Sequence, residues 1–74
     1  MNTSAHTSER IYLGKPEGEC WVAQYAVDGK LCVPFYVHEV TVKRFRTDEE
    51  FYAFLEHKAL EMLELYGPAD RSIA

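Results

Sequence analysis

Apolar residues between positions 47 and 68 recur with the spacing of one helix. At about 100° per residue, Phe51, Tyr52, Phe54, Leu55, Ala59, Met62, Leu63, Leu65 and Tyr66 fall in a single arc of roughly 180°. The start is written by a capping box: Thr47 accepts from the amide of Glu50, and the Glu50 side chain reaches back to the amide of Thr47. Asp48, Glu49 and Glu50 place negative charge at the positive end of the helix dipole. Gly67 supplies a left-handed C′ residue and Pro68 forbids continuation. The pattern predicts a helix over residues 48–66. Docking on a core needs an apolar arc of little more than ~100°, so the excess is expected to meet a partner.

Lys58 interrupts that arc between Leu65 and Phe51 and divides it into two stripes. Its stem can pack on apolar neighbours while the ammonium reaches water; the sharper alternative is an ion pair across a subunit interface, with Glu61 or Glu39 of a second copy. The opposite face, with Glu49, Glu50, His57, Glu61 and Glu64, is acidic and solvated.

Upstream the period changes from helix to strand. Residues 20–27 (CWVAQYAV) and 30–37 (KLCVPFYV) are rich in aromatic and β-branched residues and flank Asp28-Gly29, the dipeptide suited to a type I′ hairpin turn. Pro34 cannot donate a ladder hydrogen bond, so the second arm lies at an edge or bulges there. Strict alternation groups Trp21, Ala23, Tyr25 and Val27 on one side of the first arm. It groups Leu31, Val33, Phe35 and Val37 on one side of the second, opposite Cys32, Pro34, Tyr36 and His38. Neither side is polar, so the sheet is expected to need cover on both faces. Residues 10–13 predict a short first strand. The phase slips at His38-Glu39, which predicts a bulge or bend with His38 in a turn or capping role, and residues 40–45 then read as a third strand.

At 74 residues the chain has room for one domain. Residues 1–9 read as a disordered lead with no signal-peptide pattern, residues 10–68 as a single α+β domain and residues 69–74 as a frayed tail. A core of that size seldom supplies more than about 3–5 kcal/mol without a staple, which again favours a second subunit. No stretch approaches the ~20 apolar residues of a membrane span. The net charge of −4 disfavours general nucleic-acid or anionic-membrane binding. The basic run Lys43-Arg44-Phe45-Arg46 is better explained by pairing with Asp48 or Glu49. With no secretory signal, a soluble cytoplasmic protein is expected.

Candidate chemistry is sparse. Cys20 and Cys32 are the only cysteines. The hairpin places Cys32 opposite Tyr25 and Cys20 opposite Val37, too far apart along the strands to bridge. A zinc or thiol site through Cys20, Cys32 and His38 has suitable donors but no C-x-x-C or H-x-x-x-H spacing. His6 lies in the lead and His57 on the acidic helix face. The four glycines are accounted for by turns and a cap, with no phosphate loop. No catalytic, cofactor-binding or metal-binding residue is assigned.

Val27-Asp28-Gly29, Cys32, Glu39-Val40, Arg44-Phe45, Ala53-Phe54, His57-Lys58 and Leu60-Glu61 resemble the YrdB-like family, short bacterial proteins with a domain of unknown function. The resemblance spans residues 22–66; His38, where that family has a small residue, and Pro34 depart from it. It implies a β-hairpin packed by a C-terminal helix and carries no catalytic residues.

These observations predict a small antiparallel sheet of two or three strands packed by one C-terminal helix. The expected function is that of a non-enzymatic protein-binding or regulatory module, acting as a homodimer. Its partner surface is assigned to Trp21, Tyr36, Phe51, Phe54, Leu55, Lys58, Glu61, Met62, Glu64, Leu65 and Tyr66. One alternative is a phage-type acidic inhibitor (an anti-CRISPR-like or other nucleic-acid mimic that occupies a host machine); another is the metal or thiol protein.

Overall fold

Asp28 and Gly29 turn the chain between two strands of the sheet. In the computed structural model, which describes residues 6–73, both take positive φ, 53° and 81°, as a type I′ turn requires. β1 (Ser8–Gly14), β2 (Cys20–Val27), β3 (Lys30–Leu31) and β4 (Phe35–His38) form a four-stranded antiparallel sheet. β2 lies at its centre, with β1 on one side and both β3 and β4 on the other. A single turn, α1 (Glu39–Val42), leads to the long helix α2 (Asp48–Tyr66). The fold is α+β, and the strand predicted at residues 10–13 is the middle of a longer β1.

Pro34 interrupts the returning arm as expected, and the interruption re-phases it. Leu31 pairs with Ala26 but Phe35 pairs with Ala23, so the returning arm uses one more residue than β2 over the same interval. This bulge carries Phe35 and Val37 into the core beside Cys32, correcting the alternation that placed them on the opposite side. It also sets Cys20 opposite His38 rather than Val37. A second irregularity, between Arg10 and Tyr12, puts Leu13 against the core and Tyr12 on the outer face.

Residues 40–45 are not a third strand. His38 is the N-cap of α1, its Nδ1 accepting from the Val40 amide at 3.1 Å. Val42 and Phe45, at i and i+3, turn together toward the core while Val40 is exposed. The apolar spacing that resembled strand alternation is helical.

α2 begins at the Thr47 cap, which accepts from the Glu50 amide at 3.2 Å. The Glu50 carboxylate closes the other half of the cap on the amide of Arg46, at 2.9 Å, one residue before the position expected. Gly67 ends the helix at φ 77°, its amide bonded to the Leu63 carbonyl. Phe51, Leu55 and Ala59, one stripe at i, i+4 and i+8, pack with Ala23, Tyr25, Val27, Cys32, Phe35 and Val37 as the core. Arg10 ties the layers together: its Nε donates to the buried Tyr25 hydroxyl at 3.2 Å, and its guanidinium lies 4.2 Å from the centre of the Tyr52 ring.

Of the two predicted ends, residues 6–9 and 69–73 are among those described, and both contact the domain. Residues 1–5 of the proposed lead lie outside the described residues. His6 and the Thr7 amide hydrogen-bond the Asp28 carboxylate at 2.7 and 2.9 Å, and Ser8 and Glu9 belong to β1. Residues 69–73 of the proposed frayed tail turn back after Pro68, where the Ala69 amide bonds the Leu31 carbonyl at 2.7 Å. A main-chain amide that finds a sheet carbonyl is docked.

Candidate functional site

The odd residues of β2 face α2; the even residues Cys20, Val22, Gln24 and Ala26 face the other way, where there is no helix. Two tyrosines stand beside them. Tyr12 is the β1 partner of Gln24, and Tyr36 is the β4 partner of Val22. Tyr12, Tyr36, Cys20 and Val22, together with Pro16, Glu17 and Ile73, bound a groove of about 500 Å³. Val22 is its buried floor, whereas Tyr36 stands 68% exposed. An aromatic ring beside an apolar floor is a surface suited to a protein side chain.

Gln24 is completely buried on this face. Its Nε2 donates to the Cys32 carbonyl at 2.8 Å and to the Arg71 carbonyl at 3.3 Å, and its Oε1 accepts from the Ile73 amide at 2.8 Å. A lone polar residue within an otherwise apolar strand was the available sequence signal for this site. A second was Ile73, an isolated apolar residue beyond Gly67-Pro68.

Charges gather at the end of the sheet near β4. Lys15 hydrogen-bonds Glu39, holding the Glu39 carboxyl below its ordinary value, and Lys43 lies 3.8 Å from the same carboxylate. His38 Nε2 is 3.9 Å from Glu19. At the hairpin end, hydrogen bonds from His6 and then Thr7 lower the Asp28 carboxyl. These are exposed ion pairs with structural partners. Arg44 and Arg46 form no ion pair with Asp48 or Glu49 among the described residues.

The residues assigned to a partner surface separate into three environments. Leu55 is fully enclosed and Phe51 nearly so, both in the domain's own core; they are unavailable to a partner. Trp21 is half-buried and meets Phe51 edge-on, with ring centres 6.0 Å apart. Its indole N–H finds no acceptor among the described residues, and Lys15 lies 5.3 Å from its ring. Phe54 and Met62 flank the core half-buried, and Lys58 bonds Glu61 of its own chain at 3.1 Å. Leu65 and Tyr66, each about two-thirds exposed, Glu64 and Tyr36 remain open to solvent.

The candidate metal and thiol residues do not converge. Cys20 lines the outer groove opposite His38, while Cys32 is enclosed on the helix side, where burial pushes its thiol up. Among the described residues no group of three or more His, Cys, Asp or Glu is placed to hold a metal ion. Nor does any described helix have the length and apolarity to cross a membrane. No family model, curated protein or solved structure matches this chain.

Proposed function

We propose that the protein is a non-enzymatic, self-associating protein-binding module of the cytoplasm, and that its docking surface is the outer face of the sheet. The observation that supports this is the exposed Tyr36 beside the buried Val22 floor of the 500 Å³ groove, on the face that no helix covers. Aromatic residues at the edge of apolar depressions are the typical anchors of protein interfaces. Both cysteines are free thiols, which suits a reducing compartment. Leu65 and Tyr66 offer a second exposed apolar patch at the end of α2.

Light scattering across a concentration series tests this reading. The expected result is a dimer at high micromolar concentration, with Tyr36→Glu weakening association at least about tenfold, the loss of one interface anchor, while far-ultraviolet circular dichroism is unchanged. A monomer at several hundred micromolar sinks the proposal. A dimer insensitive to Tyr36→Glu but lost in Leu65→Glu/Tyr66→Glu moves the interface to the helix end and overturns the choice of face.

A further inference from the structure

The enclosure of Gln24 has an unusual source. No packed helix or strand covers it on the outer face; residues 69–73 do, and the main chain of Ala69, Arg71 and Ile73 hydrogen-bonds to the domain. The Ala69 amide bonds Leu31, and the Arg71 carbonyl and Ile73 amide are clamped by the two ends of one carboxamide. The side chains of Asp70 and Arg71 point to water, and Ile73 reaches the groove while remaining 45% exposed. Recognition of a segment by its backbone and one apolar side chain is how proteins bind peptides.

We infer that Gln24, the Leu31 carbonyl and the groove floor at Cys20 and Val22 form a peptide-binding site. The chain's own residues 69–73 close it in cis, and it accepts the same segment from a second copy. The inference rests on the self-association reading, and specifies its partner as the segment 69–73 of a second copy, bound through main-chain atoms. The main-chain hydrogen bonds made in cis by Ala69, Arg71 and Ile73 can equally be made in trans. The segment leaves the helix at Gly67, whose positive φ of 77° with an extended ψ is a conformation that glycine tolerates, so re-aiming it leaves the core undisturbed. Exchange of an identical segment about such a hinge is a low-cost route to dimers. What favours the cis form is its effective concentration, in the millimolar range for a short link. Against a few main-chain bonds and one half-exposed isoleucine, that advantage is modest.

The test uses the full chain and a labelled peptide of residues 67–74, followed by fluorescence anisotropy. Ala69→Pro removes the amide that bonds Leu31 and so loosens the cis segment, while the peptide keeps its own Ala69 amide. The expected result is weak binding to the wild type and binding about tenfold tighter to Ala69→Pro, the cis competitor having been weakened. Adding Gln24→Leu to Ala69→Pro should remove that gain. Maleimide labelling of Cys20 supplies a second readout that does not depend on the peptide. Its rate should rise severalfold in Ala69→Pro and fall again when peptide is added, with Cys32 unlabelled throughout as the check that the core is intact. Equal peptide affinity in wild type and Ala69→Pro, or binding indifferent to Gln24→Leu, overturns the inference. A Tyr36-dependent dimer that binds no peptide overturns it alone; Gln24-dependent peptide binding by a chain that stays monomeric overturns the self-association reading alone.

Discussion

Truncating Leu55 separates the part of α2 that builds the domain from the part that faces outward. Leu55 is fully enclosed, so Leu55→Ala removes three buried carbons, worth about 0.8 kcal/mol each or roughly 2.4 kcal/mol together. The cavity left between α2 and β2 adds to this, since such sites collapse only in part, giving an expected loss of about 3 kcal/mol within the usual range of roughly 2–5. Each kcal/mol lowers Tm by about 4–8 °C in a domain of this size, so Tm should fall by roughly 12–24 °C. Leu65→Ala is the control: its side chain is two-thirds exposed, and the loss should stay within about 0.5 kcal/mol. Urea unfolding followed by Trp21 fluorescence reads both, because Trp21 packs edge-on against Phe51, one helical turn before Leu55. The refuting result is a loss below about 1 kcal/mol for Leu55→Ala, which would mean that this stripe of the helix is not the one seated on the sheet.

Thr47→Ala should cost about 1 kcal/mol by removing the acceptor for the Glu50 amide, measurable as a drop of several degrees in a thermal melt. Acid should destabilise the fold through Asp28 and Glu39. Both carboxyls are held below their ordinary values, the first by His6 and the second by Lys15. The folded chain therefore binds fewer protons than the unfolded one; the stabilisation is complete above about pH 4–5 and is lost as pH falls through the depressed values. Urea midpoints measured from pH 6 down to pH 2 should fall, and Asp28→Asn with Glu39→Gln should flatten that slope. The two thiols should differ under Ellman's reagent, one reacting in the native protein at Cys20 and Cys32 only after unfolding; two fast equivalents would contradict the placement of Cys32 in the core.

The elements with local signals were legible in the sequence. Asp28-Gly29, the Thr47 cap and Gly67-Pro68 act over a few residues, and each lies at the boundary it marks. Pro34 announced an edge or a bulge, but the consequence of the bulge is non-local, because one inserted residue exchanges the faces of everything after it. The break at His38 was legible too; what followed was not, since two valines at i and i+2 suit a strand until Phe45 supplies the i+3 helical partner of Val42. For the candidate site, the width of the helix arc was legible. Which third of it would meet the sheet depends on how the helix docks, and Phe51 and Leu55 were accordingly assigned outward when they lie inward. The contact between Gln24 and Ile73 joins residues 49 apart in the chain, beyond the reach of any period or motif.

The outer face explains why a small domain encloses an amide where leucine would bury more favourably. Apolar cover alone would hold residues 69–73 without fixing their register, since the hydrophobic effect is non-directional. A carboxamide has two donors and an acceptor; at Gln24 these meet the Cys32 and Arg71 carbonyls and the Ile73 amide, so burial is compensated as it must be. One of those three bonds goes to the returning arm just after β3 and orients the amide, and the other two define which backbone positions the segment presents. On the proposed peptide-site reading, the first contact organises the site and the other two read what lies on it. The same bonds break into water when the segment leaves, and the exposed carboxamide is then solvated rather than stranded. On the proposed exchange the sheet face would have two satisfied states, one covered and one open.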